Sequence, residues 1–525
     1  MTNNNIFLGS GTSVTFVPEV DIYLKPASVD SGKTTLTLDS AFTGNFDLVN
    51  DLYVGCVLEF YHAGTKESVH RVTGNTSTTI TFHPAIETGE SSGNYLDAAA
   101  DFFHLRGYGA PCPAKSGTSN LKHLNADNWL GIVESLTFPS VDVEFKQQNL
   151  FVGGSRNFTH QYKGIETAGN ASIGIVANHG AWLYYFFGKC SSISATLDSG
   201  THPDSAFAGD VTSENKYYLH GSSLTDTGPL FYRSIDNVMT PPLLEGQDAF
   251  ADLDQLTEST VGADGFIDNP ITYTFTEQDG DDLPSFAMEQ VFSKLPSTNP
   301  YSTRITPSGA DEDTNFVLIA TGNRVNTLTM TANENEELKM TMDCMPRKVH
   351  SLEKDEKYAA RRSVTDETAF KNFSSDDKLL EPFFFSSGSI SLFGQDFMRI
   401  TQFSLQMDNT LTDKRFIGIG SRNVKDAIPA QRTYELTFSA LVTDDKLFNE
   451  LKNNDENQSG ASGALIDLIF DKPNQEQIRL KFDNYYLTTN SWPIPEDKGA
   501  VTVDATIIPR SLSSCTVKTH WVLQG

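Results

Sequence analysis

The sequence is poor in basic residues. It holds 39 Lys and Arg against 67 Asp and Glu, which gives a formal net charge of −28 and a sequence pI near 4.7. A sequence-independent grip on nucleic acid needs Lys and Arg to displace counterions from phosphates, so this composition disfavours nucleic-acid binding. It also disfavours binding to an anionic membrane surface. A surface that must not adhere to DNA would account for the charge, and so would a salt-loving host.

Cysteine and long apolar runs are also scarce. An odd number of cysteines stands tens of residues apart with no CxxC pair, so we expect reduced core thiols rather than a disulfide framework. The most apolar stretch, residues 182–187, is far shorter than the about 18 residues of a membrane span. The first residues show no signal-peptide pattern. We therefore expect synthesis in a cytosol and no membrane insertion. The cysteines are Cys56, Cys112, Cys190, Cys344 and Cys515.

Motifs of enzymes and metal sites are missing or incomplete. Residues 31–34 (SGKT) look like the end of a phosphate-binding loop, but Ala27 stands where that loop needs glycine, and a threonine-rich strand follows instead of a helix. The sequence contains no HExxH, and residues 153–157 (GGSRN) lack the final glycine of a GxSxG nucleophile elbow. The acidic stretches 279–282 and 311–313 lack the twelve-residue calcium-loop pattern and are interpreted as solvated loops. We therefore predict no enzyme activity, no cofactor and no metal site.

Strand patterns dominate the first hundred residues. Stretches at 34–39 (TTLTLD), 53–61 (YVGCVLEFY) and 78–82 (TTITF) are separated by turns rich in Gly, Asn and Ser. Short strands at this spacing predict a small all-β unit, a barrel or sandwich, at residues 20–100. We predict an N-terminal arm at 1–19 and a connector at 101–129 on either side of it.

The rest of the chain contains an internal repeat. Residues 151–157 (FVGGSRN) recur as residues 416–423 (FIGIGSRN), and the two arginines are offset by 266 positions. In each copy a strand precedes this turn, and an alternating strand and a short helix follow it. Four elements in the same order at nearly the same spacing indicate a duplicated unit. They are 134–138, 171–175 and 180–188 around the first turn, and 402–406, 434–440 and 444–452 around the second.

The ends of the two copies set the predicted domain boundaries. Residues 338–347 resemble residues 501–510, but here the offset falls to 163. Copy one therefore carries about 100 extra residues, which we assign mainly to a surface insertion at about 191–280. We predict copy one at 130–350, a charged linker at 351–384 and copy two at 385–525. The predicted fold class is all-β dominated, with two tandem β-sandwich or barrel domains, one short helix per repeat and the small N-terminal β-barrel.

This ordered set resembles the tail tube (major tail) protein family of long-tailed phages and related tailed viruses. The most specific segment contains a strand that ends in Asp408, Asn409 and Leu411 (DNTL), then the glycine-rich turn, a second strand and the helix at 444–452. Copy one matches more loosely because it lacks the DNTL pattern. The resemblance covers neither the N-terminal unit nor the insertion.

The resemblance implies a structural virion protein. Subunits of that family stack as sixfold or pseudo-sixfold rings whose strands form a continuous inner barrel, and closure of the barrel removes exposed sheet edges. With two copies in one chain, the resemblance implies homotrimeric, pseudo-hexameric rings that stack into a tube. DNA would pass through an acidic or neutral polar lumen during ejection without specific binding. The implied partners are further copies of the chain and the tape-measure and tail terminator proteins, in a siphovirus-like virion tail assembled in the host cytoplasm.

The glycine-rich turns are the candidate contacts between subunits or between rings. Glycine permits backbone shapes closed to other residues, and Arg and Asn can bond carbonyls and carboxylates of a neighbour. Ordinary turns with a local arginine salt bridge are the alternative. The candidate residues are Gly153, Gly154, Arg156, Asn157, Gly418, Gly420, Arg422 and Asn423.

Two other functions stay open. The chain could be a different ring-forming tail component, such as a tube terminator or a baseplate hub protein, and its copy number per virion would separate these. Alternatively, the N-terminal unit and the insertion could bind host-surface glycans. Deletion of residues 20–100 would then abolish glycan binding without stopping assembly.

Overall fold

The protein is almost entirely β, as the sequence predicts. The computed structural model describes residues 13–38 (except 25), 46–48, 50–86 (except 63 and 64), 102–111, 114–115, 132–148, 160–195 (except 181), 266–278, 283–293, 315–351, 381–392, 395–396, 400–412, 427–441, 466–472, 476–491 and 499–521. These residues form 26 strands and one α-helix.

The strands are numbered in chain order. The first group is β1 (Ser13–Leu24), β2 (Pro26–Val29), β3 (Thr35–Leu38), β4 (Phe46–Asp47), β5 (Val57–His62), β6 (Thr65–Asn75), β7 (Thr79–His83), β8 (Phe102–Pro111) and β9 (Ala114–Lys115). The second group is β10 (Ile132–Thr137), β11 (Val141–Gln148), β12 (His160–Ala168), β13 (Ala171–Val176), α1 (Leu183–Phe187), β14 (Gly188–Ala195), β15 (Phe266–Glu277), β16 (Phe286–Ser293), β17 (Asn315–Asn333), β18 (Lys339–Met345) and β19 (Lys348–Ser351). After a 3₁₀ turn (Phe385–Ser387), the third group is β20 (Gly388–Leu392), β21 (Gln395–Asp396), β22 (Ile400–Asp408), β23 (Thr433–Leu441), β24 (Ile466–Asp471), β25 (Gln477–Ser491) and β26 (Thr502–Trp521).

The N-terminal unit is a seven-stranded antiparallel sheet in the order β2-β3-β7-β6-β5-β8-β1. It encloses its own core, which includes Leu58, Ile80 and Phe103. The predicted strands at 34–39 and 78–82 are present, but β5 begins at Val57, because Gly55 has φ +92° and turns the chain before it. β8 lies in the predicted connector, and β1 begins in the predicted arm.

The body contains an eight-stranded antiparallel sheet in the order β10-β13-β18-β17-β22-β23-β26-β25. The same four-strand order occurs twice, as β10-β13-β18-β17 and as β22-β23-β26-β25. The registers correspond as well: Ile173 lies opposite Met342, and Phe438 lies opposite Ala505. These pairs are offset by 265 and 163 residues, which match the two offsets of the sequence repeat within one residue.

A second sheet covers the first and encloses the main core. Its order is β14-β15-β26-β25-β24-β20-β21, so the two long strands β25 and β26 belong to both sheets. Alternating apolar residues of both sheets meet between them. β14 and β15 occupy the two ends of the predicted insertion, and residues 196–265 lie outside the described residues.

The helix α1 lies inside this core. All five of its residues are buried, which is the expected location for a helix that is apolar on every side. Gly188 ends it with φ 90°, the left-handed conformation in which glycine is favoured as a cap. The predicted helix at 180–188 is therefore confirmed. Its predicted counterpart at 444–452 lies outside the described residues.

A short sheet links the N-terminal unit to the body. Residues 13–18 of β1 pair with β16, whereas residues 19–24 pair with β8 of the N-terminal unit. β16 pairs in turn with the first part of β17. Cys56, Cys344 and Cys515 are buried and reduced, as predicted. The one described helix is only five residues long, so within the described ranges no helix could span a bilayer.

Candidate assembly surface

One face of the eight-stranded sheet packs on the core, and the other, named here the open face, is polar. In β17 the alternate residues Leu328, Met330 and Ala332 are buried in the core. The residues between them point to the other side, and ladder partners continue each row across the sheet. The described open-face positions are Ser135, Thr137, Ser172, Gly174, Val176, Lys339, Thr341, Asp343, Thr327, Thr329, Thr331, Asn333, Gln402, Ser404, Gln406, Asp408, Thr433, Glu435, Thr437, Ser439, Leu441, Thr502, Asp504 and Thr506, of which Val176 and Leu441 are apolar.

The open face carries more acid than base. Among these described positions the acids are Asp343, Asp408, Glu435 and Asp504, and the single base is Lys339. The Nζ atom of Lys339 lies 3.2 Å from Oε2 of Glu134 and 3.8 Å from Oε1 of Glu337. The hydrogen bond that Lys339 donates to Glu134, together with the nearby carboxylates, raises the pKa of Lys339, so the cation is locally balanced. The rest of the face is mostly threonine and serine, which suit a pleated, half-exposed surface.

Hydrogen bonds between strands hold side chains of this face in place. Gln402 Nε2 donates to Ser439 Oγ at 2.9 Å, and Ser439 Oγ donates to Asp504 Oδ1 at 2.5 Å. The three residues come from β22, β23 and β26. They lie along a concave groove of about 880 Å³ over β17, β22, β23 and β26.

The two four-strand groups join edge to edge inside the chain. β17 and β22 form an antiparallel ladder in which Thr331 lies opposite Ser404. At the ends of the sheet, and within the described ranges, β10 pairs only with β13, and residues 487–491 of β25 pair only with β26. Unpaired ladder groups at such edges are templates for pairing with another chain.

The hairpin of β11 and β12 forms a two-stranded sheet of its own, which within the described ranges pairs with neither large sheet. Its ladder runs from Val141 opposite Ala168 to Gln148 opposite His160, and most of its residues are exposed on both faces. Phe145 is 65% exposed and Tyr162 is 51% exposed, and their ladder partners place them on opposite faces. A lone two-stranded hairpin is marginally stable in water, so a long one with exposed aromatic residues favours a contact with another molecule.

The DNTL pattern connects separate elements of the fold through hydrogen bonds. Asn409 is 1% exposed and donates from Nδ2 to the carbonyl oxygens of Phe186 and Val325, each at 3.1 Å. Its Oδ1 accepts from Nε of Arg432 at 2.8 Å. Asp408 accepts from the backbone N–H of Thr410 at 2.6 Å, and Leu411 is buried. The pattern therefore connects the end of α1, β17 and the segment before β23.

The candidate turn residues stay predictions. Gly153, Gly154, Arg156 and Asn157 belong to the segment between β11 and β12, and Gly418, Gly420, Arg422 and Asn423 to the segment between β22 and β23. All eight lie outside the described residues, as do the acidic stretches at 279–282 and 311–313.

Sequence reasoning missed the hairpin aromatics and most of the open face. Phe145 sits in an alternating stretch (VDVEFKQQ) that is typical of a half-buried strand, so nothing in the pattern marks its exposure. The open face had a usable signal, because threonine or serine alternates with apolar residues in β17 and β23.

Open strand edges, an exposed hairpin and a polar sheet face are typical of a structural protein that assembles with other copies of itself. A family model described as phage tail tube protein matches residues 153–475, more than half of the chain and parts of both predicted copies. The chain therefore belongs to the phage tail tube protein family, and its role is that of a structural component of a phage tail. No curated protein matches the sequence.

Proposed function

We propose that three copies of this chain close into a pseudo-hexameric ring and that rings stack into the tail tube. The observation that supports this proposal is the eight-stranded sheet, in which one four-strand order occurs twice and the two units join through the β17–β22 ladder. The same kind of ladder between β25 of one chain and β10 of the next would close the ring. Three chains would then supply six equivalent units.

The dimensions suit passage of a DNA duplex. Three eight-stranded sheets would give a barrel of twenty-four strands. With a strand spacing of about 4.8 Å and a tilt of about 35–45°, such a barrel is about 45–50 Å across at the backbone. Closure would also remove both sheet edges from solvent, which protects a β protein from uncontrolled aggregation.

In this arrangement the open face lines the lumen. Its threonines and serines are neutral, and its charged groups at described positions are acidic except for Lys339, which Glu134 and Glu337 balance. An acidic and neutral wall repels phosphates and offers few cations to displace their counterions, so DNA would slide without being held. The apolar face stays in the core, where it cannot contact DNA.

The β11–β12 hairpin would contact the neighbouring ring. Its exposed Phe145 and Tyr162, together with Gly153, Gly154, Arg156 and Asn157 between its strands, supply apolar and hydrogen-bonding groups outside the sheets. The turn with Gly418, Gly420, Arg422 and Asn423 would serve the equivalent position of the second repeat. Tape-measure and tail terminator proteins are the further proposed partners, at the inside and at the end of the tube.

Electron microscopy of the purified full-length chain, combined with mass measurement of the assembled ring, tests the proposal. We expect six-lobed rings or hollow tubes whose mass corresponds to three chains per ring. Six chains per ring would contradict the pairing of two units within one chain. Dispersed monomers at every salt and protein concentration, together with binding in a glycan screen, would instead favour the host-surface function.

A further inference from the structure

The short sheet that links the N-terminal unit to the body has a counterpart in the second sheet. The strand order of the short sheet is β1-β16-β17-β19, and part of the second sheet has the order β20-β24-β25-β26. In both, the third strand is long and continues into the eight-stranded sheet. The correspondence between the two halves of the chain therefore includes both layers of the sandwich.

The long strands β17 and β25 are equivalent at an offset of 162 residues. Leu328 lies opposite Met342, and Asn490 lies opposite Ala505, which is the equivalent of Met342. The extra residue of a β-bulge lies two positions before Leu328 and, in the same way, two positions before Asn490. Because a bulge is a defined local feature, it fixes the alignment of the two strands to the single residue.

The first half of β1 is the equivalent of β20. From Leu318 of β17 the ladders lead across β16 to Val14 of β1, and from Leu480, 162 residues later, they lead across β24 to Ile390 of β20. Val14 and Ile390 both pack in the main core of the body. Residues 13–18 therefore supply to the first unit the strand that β20 supplies to the second unit.

The N-terminal unit stands between two strands that nearly follow each other in the second unit. There, β20 ends at Leu392 and β22 begins at Ile400, with seven residues between them. The equivalent strands of the first unit are residues 13–18 of β1 and the strand β10, and residues 19–131 lie between them. The additional residues are the N-terminal unit and the segment before β10.

The chain enters and leaves the N-terminal unit at one place. Glu19, which follows the body part of β1, lies opposite Pro111, the last residue of β8. The buried carboxylate of Glu19 accepts from the backbone N–H of Gly109 at 2.6 Å and of Gly322 at 2.7 Å, so it connects β8 with β17 across the boundary. Adjacent entry and exit points are what allow one domain to be inserted into another.

We propose that the N-terminal unit is an insertion within the first tube unit and that it decorates the outside of the tube. The body part of β1 belongs to the layer that packs on the apolar face of the eight-stranded sheet, opposite to the open face. The outside location rests on the proposed function, in which the open face lines the lumen. Each ring would carry three decorations, at alternate positions of six, and ring closure would not need them.

Two shortened chains distinguish an insertion from a domain that precedes the body. In the bridged chain, residues 19–111 are replaced by two glycines, because a two-residue loop joins opposite residues of an antiparallel pair. In the truncated chain, residues 1–111 are removed, so the body also loses the strand at 13–18. Both chains carry Ile319→Ser, since Ile319 is buried in the core of the N-terminal unit and would become exposed.

We expect the bridged chain to unfold cooperatively and the truncated chain to melt at least about 10 °C lower, because truncation uncovers β16 and the core beneath it. Thermal unfolding followed by circular dichroism measures this difference without any assembly. Equal stability of the two shortened chains, or failure of the bridged chain to fold, would overturn the insertion.

Electron microscopy of the bridged chain tests the outside location. Its tubes should keep the lumen of the full-length tubes and lose three outer projections per ring. An unchanged outer outline with a wider lumen would overturn the outside location. If the full-length chain formed no rings, the proposed function and the outside location would fail together, whereas the unfolding comparison would still decide the insertion.

The variant Val14→Asp tests the same assignment in the full-length chain. Because Val14 packs in the main core, we expect the melting temperature of the body to fall by at least about 5 °C, and Ile390→Asp at the equivalent position should lower it similarly. Val69→Asp, at a position 50% exposed on β6, is the control and should leave it unchanged. Equal melting temperatures of the Val14 and Val69 variants would contradict the membership of β1 in the body.

Discussion

Asn409 connects three elements that lie far apart in the sequence. Its amide meets the last turn of α1, the strand β17 and Arg432 at the entry to β23. Burial makes this amide costly to remove, because two backbone carbonyls and a guanidinium lose their partner inside the core. The most specific segment of the sequence resemblance is therefore explained by packing rather than by an external ligand.

Replacing Asn409 with alanine should lower the free energy of unfolding by about 2–4 kcal/mol. The matched control is Asn333→Ala, at an exposed position where the amide bonds Glu336, with an expected change of about 0.5 kcal/mol or less. Urea unfolding of the unassembled chain, followed by fluorescence, measures both. Equal effects of the two variants would contradict this structural role of the Asn409 amide.

Lys472, just after β24, and Glu476, just before β25, form a buried ion pair. Their charged atoms are 2.6 Å apart, and Lys472 also donates to the carbonyl oxygen of Asn178 at 2.5 Å and lies over the ring of Phe383. The neighbouring His179 is fully buried, and burial, followed by the charge of Lys472, lowers its pKa to about 3. The site therefore holds a single cation, on Lys472.

Substitution of one member of this pair should lower the free energy of unfolding more than substitution of both members. Lys472→Met leaves the Glu476 carboxylate buried without its cation, which we expect to cost about 3–5 kcal/mol of unfolding free energy. Lys472→Met combined with Glu476→Met should recover most of that loss, since no charge is left in the core. Thermal unfolding of both variants distinguishes the outcomes. A double variant less stable than the single one would show that the pair itself is net stabilising.

At the scale of elements, the β11–β12 hairpin is the part that the two sheets do not support. Its aromatic residues contribute little to the folded subunit, because neither Phe145 nor Tyr162 packs in a core. Under the proposed arrangement they become buried only when rings stack. Their loss should therefore change stacking and leave the subunit stable.

The double variant Phe145→Ser with Tyr162→Ser should give rings that stack poorly, with tubes at least tenfold rarer in electron micrographs at equal protein concentration. Val54→Ser, at a position 44% exposed on the N-terminal unit, is the control and should form normal tubes. Normal tubes from the hairpin variant would exclude it as the contact between rings.

At the scale of the whole molecule, the two faces of the sandwich differ in what they would meet. The open face would line the lumen, whereas the exposed side of the second sheet would face outward. Added positive charge should therefore slow the passage of DNA only when it stands on the open face. The chain offers matched positions for the comparison, because threonines stand at half-exposed positions on both.

Tubes carrying Thr329→Lys with Thr437→Lys should retain DNA, seen as slower ejection from particles and as salt-sensitive binding to open tubes. Thr274→Lys with Thr516→Lys, on the second sheet, should leave ejection unchanged. The reverse pattern would place the second sheet at the lumen. Ejection followed by DNA fluorescence provides the measurement.

The sequence predicted local elements better than long-range pairing. Alternation located the strands around Ile173 and Phe438 and the apolar run located α1, because these signals depend on neighbouring residues alone. The membership of β8 in the N-terminal sheet depends on Phe103 lying opposite Phe60, about forty residues away, and no local pattern encodes that pairing. Likewise, no local sequence pattern predicts that β26 belongs to both sheets. At the candidate assembly surface, the sequence repeat could be recognised from the residues alone. The exposure of Phe145 could not, because it depends on whether other strands of the fold pack against the β11–β12 hairpin.

The shared strands β25 and β26 have a mechanical consequence. β26 runs for 20 residues, about 65 Å of extended chain, and is bonded to β25 along most of that length. Tension along these strands loads the whole ladder in shear, so many hydrogen bonds must fail together before the two sheets can slide. Each subunit is thus stiff along this direction, and a tail built from it would bend at the contacts between subunits.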